Sequence, residues 1–385
     1  MGEPISRREF LGRSLRIAGA LAVPGTVSWL IARVPPPGTF RDAVANAAPH
    51  LRDAQWWKTA CAGVQCVLCP FQCFLPEGHH GICHVRQNVG GRLKTLVYAQ
   101  PVAVHVDPIE KKPVYHLYPG SRAYSLATVG CNLRCAFCQN WEISQTMPEQ
   151  ARGTRLPPDE AVDQALASGC RSIAYTYAEP TVFYEYVRDT AVRAKRRGLC
   201  NVLISGGYIN PAPLAALAPL FDVVKIDLKG FNETFYRRIV KGELRFILRT
   251  LTELKRHGVF TEVVNLVVPT LNDDPAELRR MCQWIRRELG PDTPVFFSRF
   301  MPQYQLQNLP PTPIETLETA HALAKAEGLR YVYLGNVPGH PAEHTYCPTC
   351  GRVLIRRHGY TVLEYCLGPG GVCPDDGTKI PGVWA

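Results

Sequence analysis

Between Arg122 and Gly335 short β-branched runs alternate with longer amphipathic stretches, and this alternation leaves the chain few architectures. Strands are expected near residues 124–129, 172–177, 201–205, 222–227, 260–268, 295–300 and 331–335. Helices are expected over 158–169, 181–198, 211–219, 232–240, 244–257, 274–289 and 313–327. Strands that each feed a helix imply a parallel sheet with right-handed crossovers. The fold class is therefore α/β, a full or partial (β/α) barrel. A single core stops growing at about 250–300 residues, so a chain of 385 leaves room for small flanking units.

Sites in such folds gather at the C-terminal ends of the strands. The first expected strand runs into Gly130-Cys131-Asn132-Leu133-Arg134-Cys135-Ala136-Phe137-Cys138, where three cysteines stand four and three residues apart. Three thiolates on one tight loop can hold three corners of an iron–sulfur cluster, whereas a closed cluster or zinc site takes four protein ligands. No Cys or His follows closely as a fourth, which leaves one iron open to a small molecule. The plainer alternatives are a loop thiol cluster or part of a disulfide set. The later strands end in Thr176-Tyr177-Ala178-Glu179-Pro180, Ser205-Gly206-Gly207-Tyr208 and Asp227-Leu228-Lys229.

Fifteen cysteines are many for this length, and all but three fall in the groups 61–83, 131–138 and 347–373. Such grouping argues for metal sites. Cys66, Cys69, Cys73 and Cys83 sit among glycine and proline turns and suit a second metal centre, a further [4Fe–4S] cluster or a zinc; His79, His80 and His84 are alternative ligands. Near the end, Cys347-Pro348-Thr349-Cys350-Gly351 and Cys373-Pro374-Asp375-Asp376-Gly377 read as a zinc-ribbon or rubredoxin-like knuckle pair, with Cys366 or Asp376 as the last ligand. Cys170, Cys200 and Cys282 stand alone and read as small buried hydrophobes. The charge of +10 is spread over pairs such as Arg237-Arg238, Arg279-Arg280, Arg286-Arg287 and Arg356-Arg357. Solvated helix faces explain them better than a nucleic-acid-binding stripe.

The cysteine loop resembles the signature of radical S-adenosylmethionine (SAM) enzymes, in which a [4Fe–4S] cluster chelates the methionine end of the cosubstrate through its open iron. The resemblance implies that Cys131, Cys135 and Cys138 hold that cluster. The strand-end residues then acquire roles around a bound sulfonium nucleotide. Glu179 accepts from the methionine ammonium, Gly206 and Gly207 allow close approach, and Asp227 with Lys229 binds ribose hydroxyls or the carboxylate, unless the two form an ordinary ion pair. Phe137 packs near the adenine or shields the cluster. Further runs, among them Cys66-Val67-Leu68-Cys69-Pro70, the segment from Asp107 to Pro113, Tyr115-His116 and Gly382-Val383-Trp384, make residues 66–384 resemble the radical SAM enzymes of the AmmeMemoRadiSam system, relatives of the activating enzyme of pyruvate formate-lyase. Ala178, Gly206 and Asp376 depart from that pattern, where Asn, Asn and Cys are usual. The resemblance implies AMMECR-like and Memo-like partner proteins.

The reading divides the chain into a signal segment (1–47), a Cys-rich unit (56–122), the barrel (123–338) and a C-terminal knuckle unit (340–385). Ser6-Arg7-Arg8-Glu9-Phe10-Leu11 before the apolar stretch 15–34 resembles a twin-arginine export signal, cleaved after Ala45-Asn46-Ala47 or kept as a membrane anchor; an amphipathic or disordered tail in a cytoplasmic protein is the alternative. The expected function is reductive cleavage of SAM to a 5′-deoxyadenosyl radical that abstracts hydrogen from an unidentified substrate, supplied by a low-potential electron donor. A glycyl-radical activase is the runner-up, and a non-catalytic iron–sulfur electron carrier the rival of another class. Tyr177, Tyr208, His116 and Arg299 are substrate-side candidates by their places near strand ends or linked loops.

Overall fold

Eight strands in a computed structural model pair in chain order: β1 (Ala103–Pro108), β2 (Arg122–Ala127), β3 (Ser172–Tyr175), β4 (Cys200–Ser205), β5 (Val223–Asp227), β6 (Phe260–Val267), β7 (Val295–Arg299) and β8 (Val332–Gly335). The structure describes residues 51–384, so the expected export signal and apolar stretch lie outside the described residues. From β2 onward every neighbour pairs parallel, while β1 runs antiparallel to β2. The edge strands β1 and β8 do not pair with each other, so the sheet is open.

The crossovers are α1 (Pro158–Ala167), α2 (Tyr184–Arg196), α3 (Pro211–Leu217), α4 (Leu244–Arg256), α5 (Pro275–Glu288) and α6 (Ile314–Ala326). In α4, Leu244, Ile247, Leu251 and Leu254 recur at helical spacing and are buried together. The side chain of Asp274 accepts from Glu277 N to begin α5, with Pro275 in the first turn. One expected helix takes another form. Residues 232–240 make a single α-turn, Glu233–Phe235, and then a π-helix, Tyr236–Val240, which ends at Lys241 with φ +63°.

The inner face of the sheet is filled by the chain's own flanks. Ile109, Val114 and Leu117 pack on Ala123, Ala174, Val202 and Val223. Tyr115 and the C-terminal Leu354 and Ile355 pack on Val264, Phe296 and Tyr333. The charged segment from Asp107 to Pro113 does not face solvent as a whole: Asp107, Glu110 and Lys112 are buried. Three-stranded antiparallel sheets complete both ends. Trp57–Ala60, Gly63–Cys66 and Phe74–Leu75 form one, Arg52–Asp53, Arg92–Thr95 and Arg86–Val89 another, and Thr345–Tyr346, Val353–His358 and Thr361–Tyr365 the third.

Three of the four arginine pairs are exposed as expected, but Arg356-Arg357 lies on a strand and not on a helix. Alternation along that strand turns Arg357 inward, where it is 1% exposed. Its guanidinium lies 4.0 Å from the centroid of the Tyr115 ring, donates to Tyr115 O at 3.1 Å and Thr345 Oγ1 at 2.8 Å, and sits 3.6 Å from Glu110. Removing one partner of a buried ion pair leaves the other uncompensated, at a cost of roughly 3–5 kcal/mol. Arg357→Ala is therefore expected to lower the denaturation midpoint strongly, and pairing Arg357→Met with Glu110→Gln to recover most of the loss. A midpoint unchanged by Arg357→Ala would contradict this role.

Candidate active site

The cysteine loop is held by backbone hydrogen bonds on both sides. Arg134 N donates to Val240 O at 3.0 Å and Ala136 N to Ile239 O at 2.9 Å, so the end of the π-helix receives the loop. Gly130 N donates to Ile143 O at 3.0 Å, and Asn132 Nδ2 to Tyr208 O at 2.8 Å. Gly130 has φ +94°, and a Cβ there would stand 2.6 Å from Val85 Cγ1 and 2.7 Å from Cys83 O. Only glycine accepts both the conformation and that contact. Leu133 N donates to Cys131 Sγ at 3.3 Å, and Ser144 Oγ is 3.2 Å from Cys138 Sγ. Burial pushes the Cys135 thiol up to about 12 and that of Cys131 well above its ordinary value. Thiolates there call for a bound cation, which is what iron would supply.

The strand ends beyond the loop converge on it. Glu179, after β3, is 3% exposed and takes hydrogen bonds from Thr181 N at 3.0 Å, Ser205 Oγ at 2.6 Å and Gly206 N at 2.8 Å. A carboxylate has about four acceptor sites. Two are used in fixing the end of β4 and one in capping the turn Pro180–Phe183, which leaves room for about one more donor. A Cβ on Gly206 would lie 2.9 Å from Leu133 Cδ1 and 3.3 Å from Glu179 Oε2, so this glycine lets the cysteine loop and the Glu179 turn meet. Gly207 has φ +72°, which frees the chain to turn away.

Asp227 and Lys229 form the ion pair offered as the plainer alternative, at 3.0 Å, and Lys225 joins the same carboxylate. Burial would raise the Asp227 carboxyl, but Lys225 and Lys229 together hold it well below the usual carboxylate range. Lys229 also reaches the cluster loop, with Nζ 5.7 Å from the centroid of the Phe137 ring and within electrostatic range of Cys135. Phe137 stacks on Phe235 with centroids 6.0 Å apart. Phe137, Glu179, Gly206, Asp227 and Lys229 thus lie about the cysteine loop, whereas a Cβ on Gly207 would face Ile226 and Ile247.

A second ionic group forms on the charged segment from Asp107 to Pro113, whose internal pairing the sequence does not reveal. Asp107 binds Lys112 Nζ at 2.5 Å, Lys111 Nζ at 2.9 Å and the hydroxyl of Tyr177. Lys112 Nζ also lies 3.3 Å from the Tyr177 hydroxyl. Burial pushes the Lys112 ammonium down to about 8 against the hold of Asp107, with Lys111 and Lys225 adding to the fall. The available signal was the charged run from Asp107 to Lys112 itself, in which Asp107 and Lys111 stand four residues apart. Of the other candidates, Tyr177 belongs to this group. Tyr208 is buried against Phe71 and Phe246, and Arg299 Nε donates to Thr312 O at 2.8 Å. His116 is structural: Nδ1 donates to Pro381 O at 2.6 Å, Nε2 is 2.8 Å from the Tyr333 hydroxyl, and burial pushes its pKa down to about 3.

Two further cysteine sets assemble. Cys66, Cys69, Cys73 and Cys83 line one small cavity with Arg86 and Asn132, and none of His79, His80 or His84 is on its wall. In the C-terminal unit the donor atoms of Cys347, Cys350, Cys373 and Asp376 all lie within 4.8 Å of one another. Cys347 Sγ is 3.2 Å from Asp376 Oδ2 and Cys350 Sγ is 3.7 Å from Cys373 Sγ. A tetrahedral site with zinc–sulfur bonds of about 2.3 Å has sulfur–sulfur edges of about 3.8 Å. Asp376 completes the set, and Cys366 turns instead toward Glu364 Oε1 at 3.5 Å. Zinc is expected to raise the melting temperature of chelator-treated protein, Asp376→Ala to weaken that response and Cys366→Ala to leave it intact. Identical melting curves with and without zinc would rule out a structural metal there.

The model of the Radical SAM superfamily matches residues 125–282, which span the cysteine loop and every rim residue described. An uncharacterized protein of Methanocaldococcus jannaschii is 48% identical over 295 residues, covering 77% of this chain and 88% of that protein. A pyruvate formate-lyase-activating enzyme of Staphylococcus epidermidis is 25% identical over 243 residues, covering 57% of this chain and 92% of that enzyme. Among solved structures, Streptococcus suis SuiB bound to precursor peptide SuiA matches with a TM-score of 0.46 and 10% identity, over 59% of this chain and 51% of that one. The chain belongs to the radical SAM superfamily, whose members are enzymes that catalyse radical reactions.

Proposed function

We propose that this chain binds a [4Fe–4S] cluster through Cys131, Cys135 and Cys138 and reductively cleaves SAM to methionine and a 5′-deoxyadenosyl radical, which abstracts hydrogen from a substrate at the mouth of the sheet. The observation that carries the reading is the meeting of the cysteine loop with Glu179 and Gly206 on one side and Asp227 with Lys229 on the other. When bound, the cluster supplies one electron to the sulfonium of SAM, and the radical chemistry belongs to that pair.

The protein's own residues position and shield. Glu179 fixes the end of β4 and keeps an acceptor site for an ammonium. Gly206 has no side chain to fill the space between Leu133 and Glu179. Phe137 and Phe235 form an apolar wall beside the loop. Lys112 and Tyr177, bound to Asp107, form a further polar group on the strand-end side, and Asn140 of the loop that follows Cys138 donates to Tyr177 O. An electron carrier alone has no use for Glu179, Asp227 and Lys229.

A narrower form of the same reading takes the hydrogen from a glycine of a partner protein, and the relative named as a pyruvate formate-lyase-activating enzyme supports it. Either form calls for a low-potential one-electron donor, and the family resemblance adds AMMECR-like and Memo-like proteins as partners. Protein reconstituted anaerobically with iron and sulfide, reduced with dithionite and given SAM is expected to release 5′-deoxyadenosine. The triple variant Cys131→Ala, Cys135→Ala and Cys138→Ala is expected to release none; equal product from both proteins would defeat the proposal.

A further inference from the structure

The four cysteines of the N-terminal unit come from two turns. Cys66 N donates to Cys73 O at 3.0 Å and Gln72 N to Cys69 O at 3.1 Å, which curls the first three around one point. Gly81 N donates to Arg86 O at 2.8 Å and His84 N to Gly81 O at 2.8 Å, which brings Cys83 over the same point. The cavity between the turns is walled by the four thiols, Leu68, Ile82 and Val182, with Arg86 behind them. A Cβ on Gly81 would lie 3.7 Å from both Cys73 Sγ and Cys83 Sγ, so the glycine leaves that wall open.

Spacing separates the two metal chemistries open to such a set. A single zinc draws its four donors to edges of about 3.8 Å, and the C-terminal donors already stand within 4.8 Å of one another. Among the described residues, the three-or-more donor groups gathered within 4.8 Å are limited to that C-terminal set, so no three of these four sulfurs converge to a mononuclear site. In a [4Fe–4S] cluster each thiolate sits on its own iron, and the four stand correspondingly farther apart.

A second observation points to the same occupant. Arg86 is 1% exposed, and its terminal nitrogens are engaged by Glu185 and by Gln55 O. Its Nε has no hydrogen-bond partner although it is buried, and the side chain lies on the cavity wall within electrostatic range of Cys66 and Cys83. A buried donor left without a partner on a side chain that walls a set of thiols calls for an acceptor inside the cavity. The sulfides and thiolates of an iron–sulfur cluster are such acceptors, and hydrogen bonds to cluster sulfur are a general means of tuning it.

We propose that Cys66, Cys69, Cys73 and Cys83 ligate a second [4Fe–4S] cluster, packed directly against the loop that bears the first. Asn132, which follows Cys131, is on the cavity wall; Arg134 donates to Ile82 O; and Cys83 O faces Gly130. The second cluster stands whether or not the chain cleaves SAM, because its evidence lies outside the rim.

Anaerobically reconstituted wild-type protein is expected to hold about eight irons and eight sulfides per chain, two clusters' worth. The triple alanine variant at Cys131, Cys135 and Cys138 is expected to keep about four of each, with a reduced-cluster electron paramagnetic resonance signal that SAM leaves unchanged. Cys66→Ser with Cys69→Ser, the first loop intact, is expected to keep about four irons and a signal that SAM alters. Wild-type protein holding only about four irons overturns the proposal, as does zinc in place of iron in the triple variant.

Discussion

A loop that offers three cysteines to a cluster must have its backbone fixed by something other than the cluster. Here the fixing element is the wide turn Tyr236–Val240, whose last carbonyls have no partner further along their own helix. Ile239 O and Val240 O accept instead from Ala136 N and Arg134 N, so a helix end and a ligand loop satisfy each other. The chain then escapes through Lys241 at φ +63° and Gly242, where a Cβ would stand 2.8 Å from Leu133 Cδ2. On its other side the loop rests on Cys83 and Val85 through Gly130. The site is thus clamped between the β5–α4 connection and the N-terminal unit, and both clamps depend on close approach of the backbone.

The ions around this clamp follow one rule. Burying a charge costs heavily unless it is paired, and here each buried carboxylate is shared. Asp107 serves Lys111 and Lys112, Asp227 serves Lys225 and Lys229, and Glu179 serves two backbone amides and a hydroxyl. These side chains are held in place before any ligand arrives, so little ordering is left for binding to do.

Much of this was legible in the sequence because periodicity and turn chemistry are local. The seven parallel strands and their helices follow from alternation, and the convergence of rim residues follows from all those strands ending on one side. What depends on long-range pairing was not legible. Ala103–Pro108 reads as a short run in a Cys-rich unit, yet it becomes an edge strand of the main sheet by pairing with β2. Arg357 reads as half of a solvated pair because its partner Glu110 is far away in sequence. Asp376 and Cys366 are equal candidates until the hairpin Val353–His358 to Thr361–Tyr365 carries Cys366 away from the knuckles. In each case residue type was visible and direction was not.

Direction also ties the small cysteine knuckle of the C-terminal unit to the rest of the fold. Cys373 and Asp376 bracket a turn of the C-terminal unit, and the chain leaves that turn for Ile380 and Trp384. Tyr118 N donates to Val383 O and Val383 N to His116 O, both at 2.8 Å, which stitches the chain end to the segment that fills the inner face of the sheet. Gly382 makes the stitch possible, since a Cβ there would lie 2.6 Å from His116 O. The neighbouring Tyr115 N and His116 N donate to Glu262 on β6, and Lys112, a few residues before, meets Asp107 and Tyr177. Backbone and side-chain hydrogen bonds thus run from the knuckle turn through the chain end and the inner segment to the ionic group of Asp107, Lys112 and Tyr177.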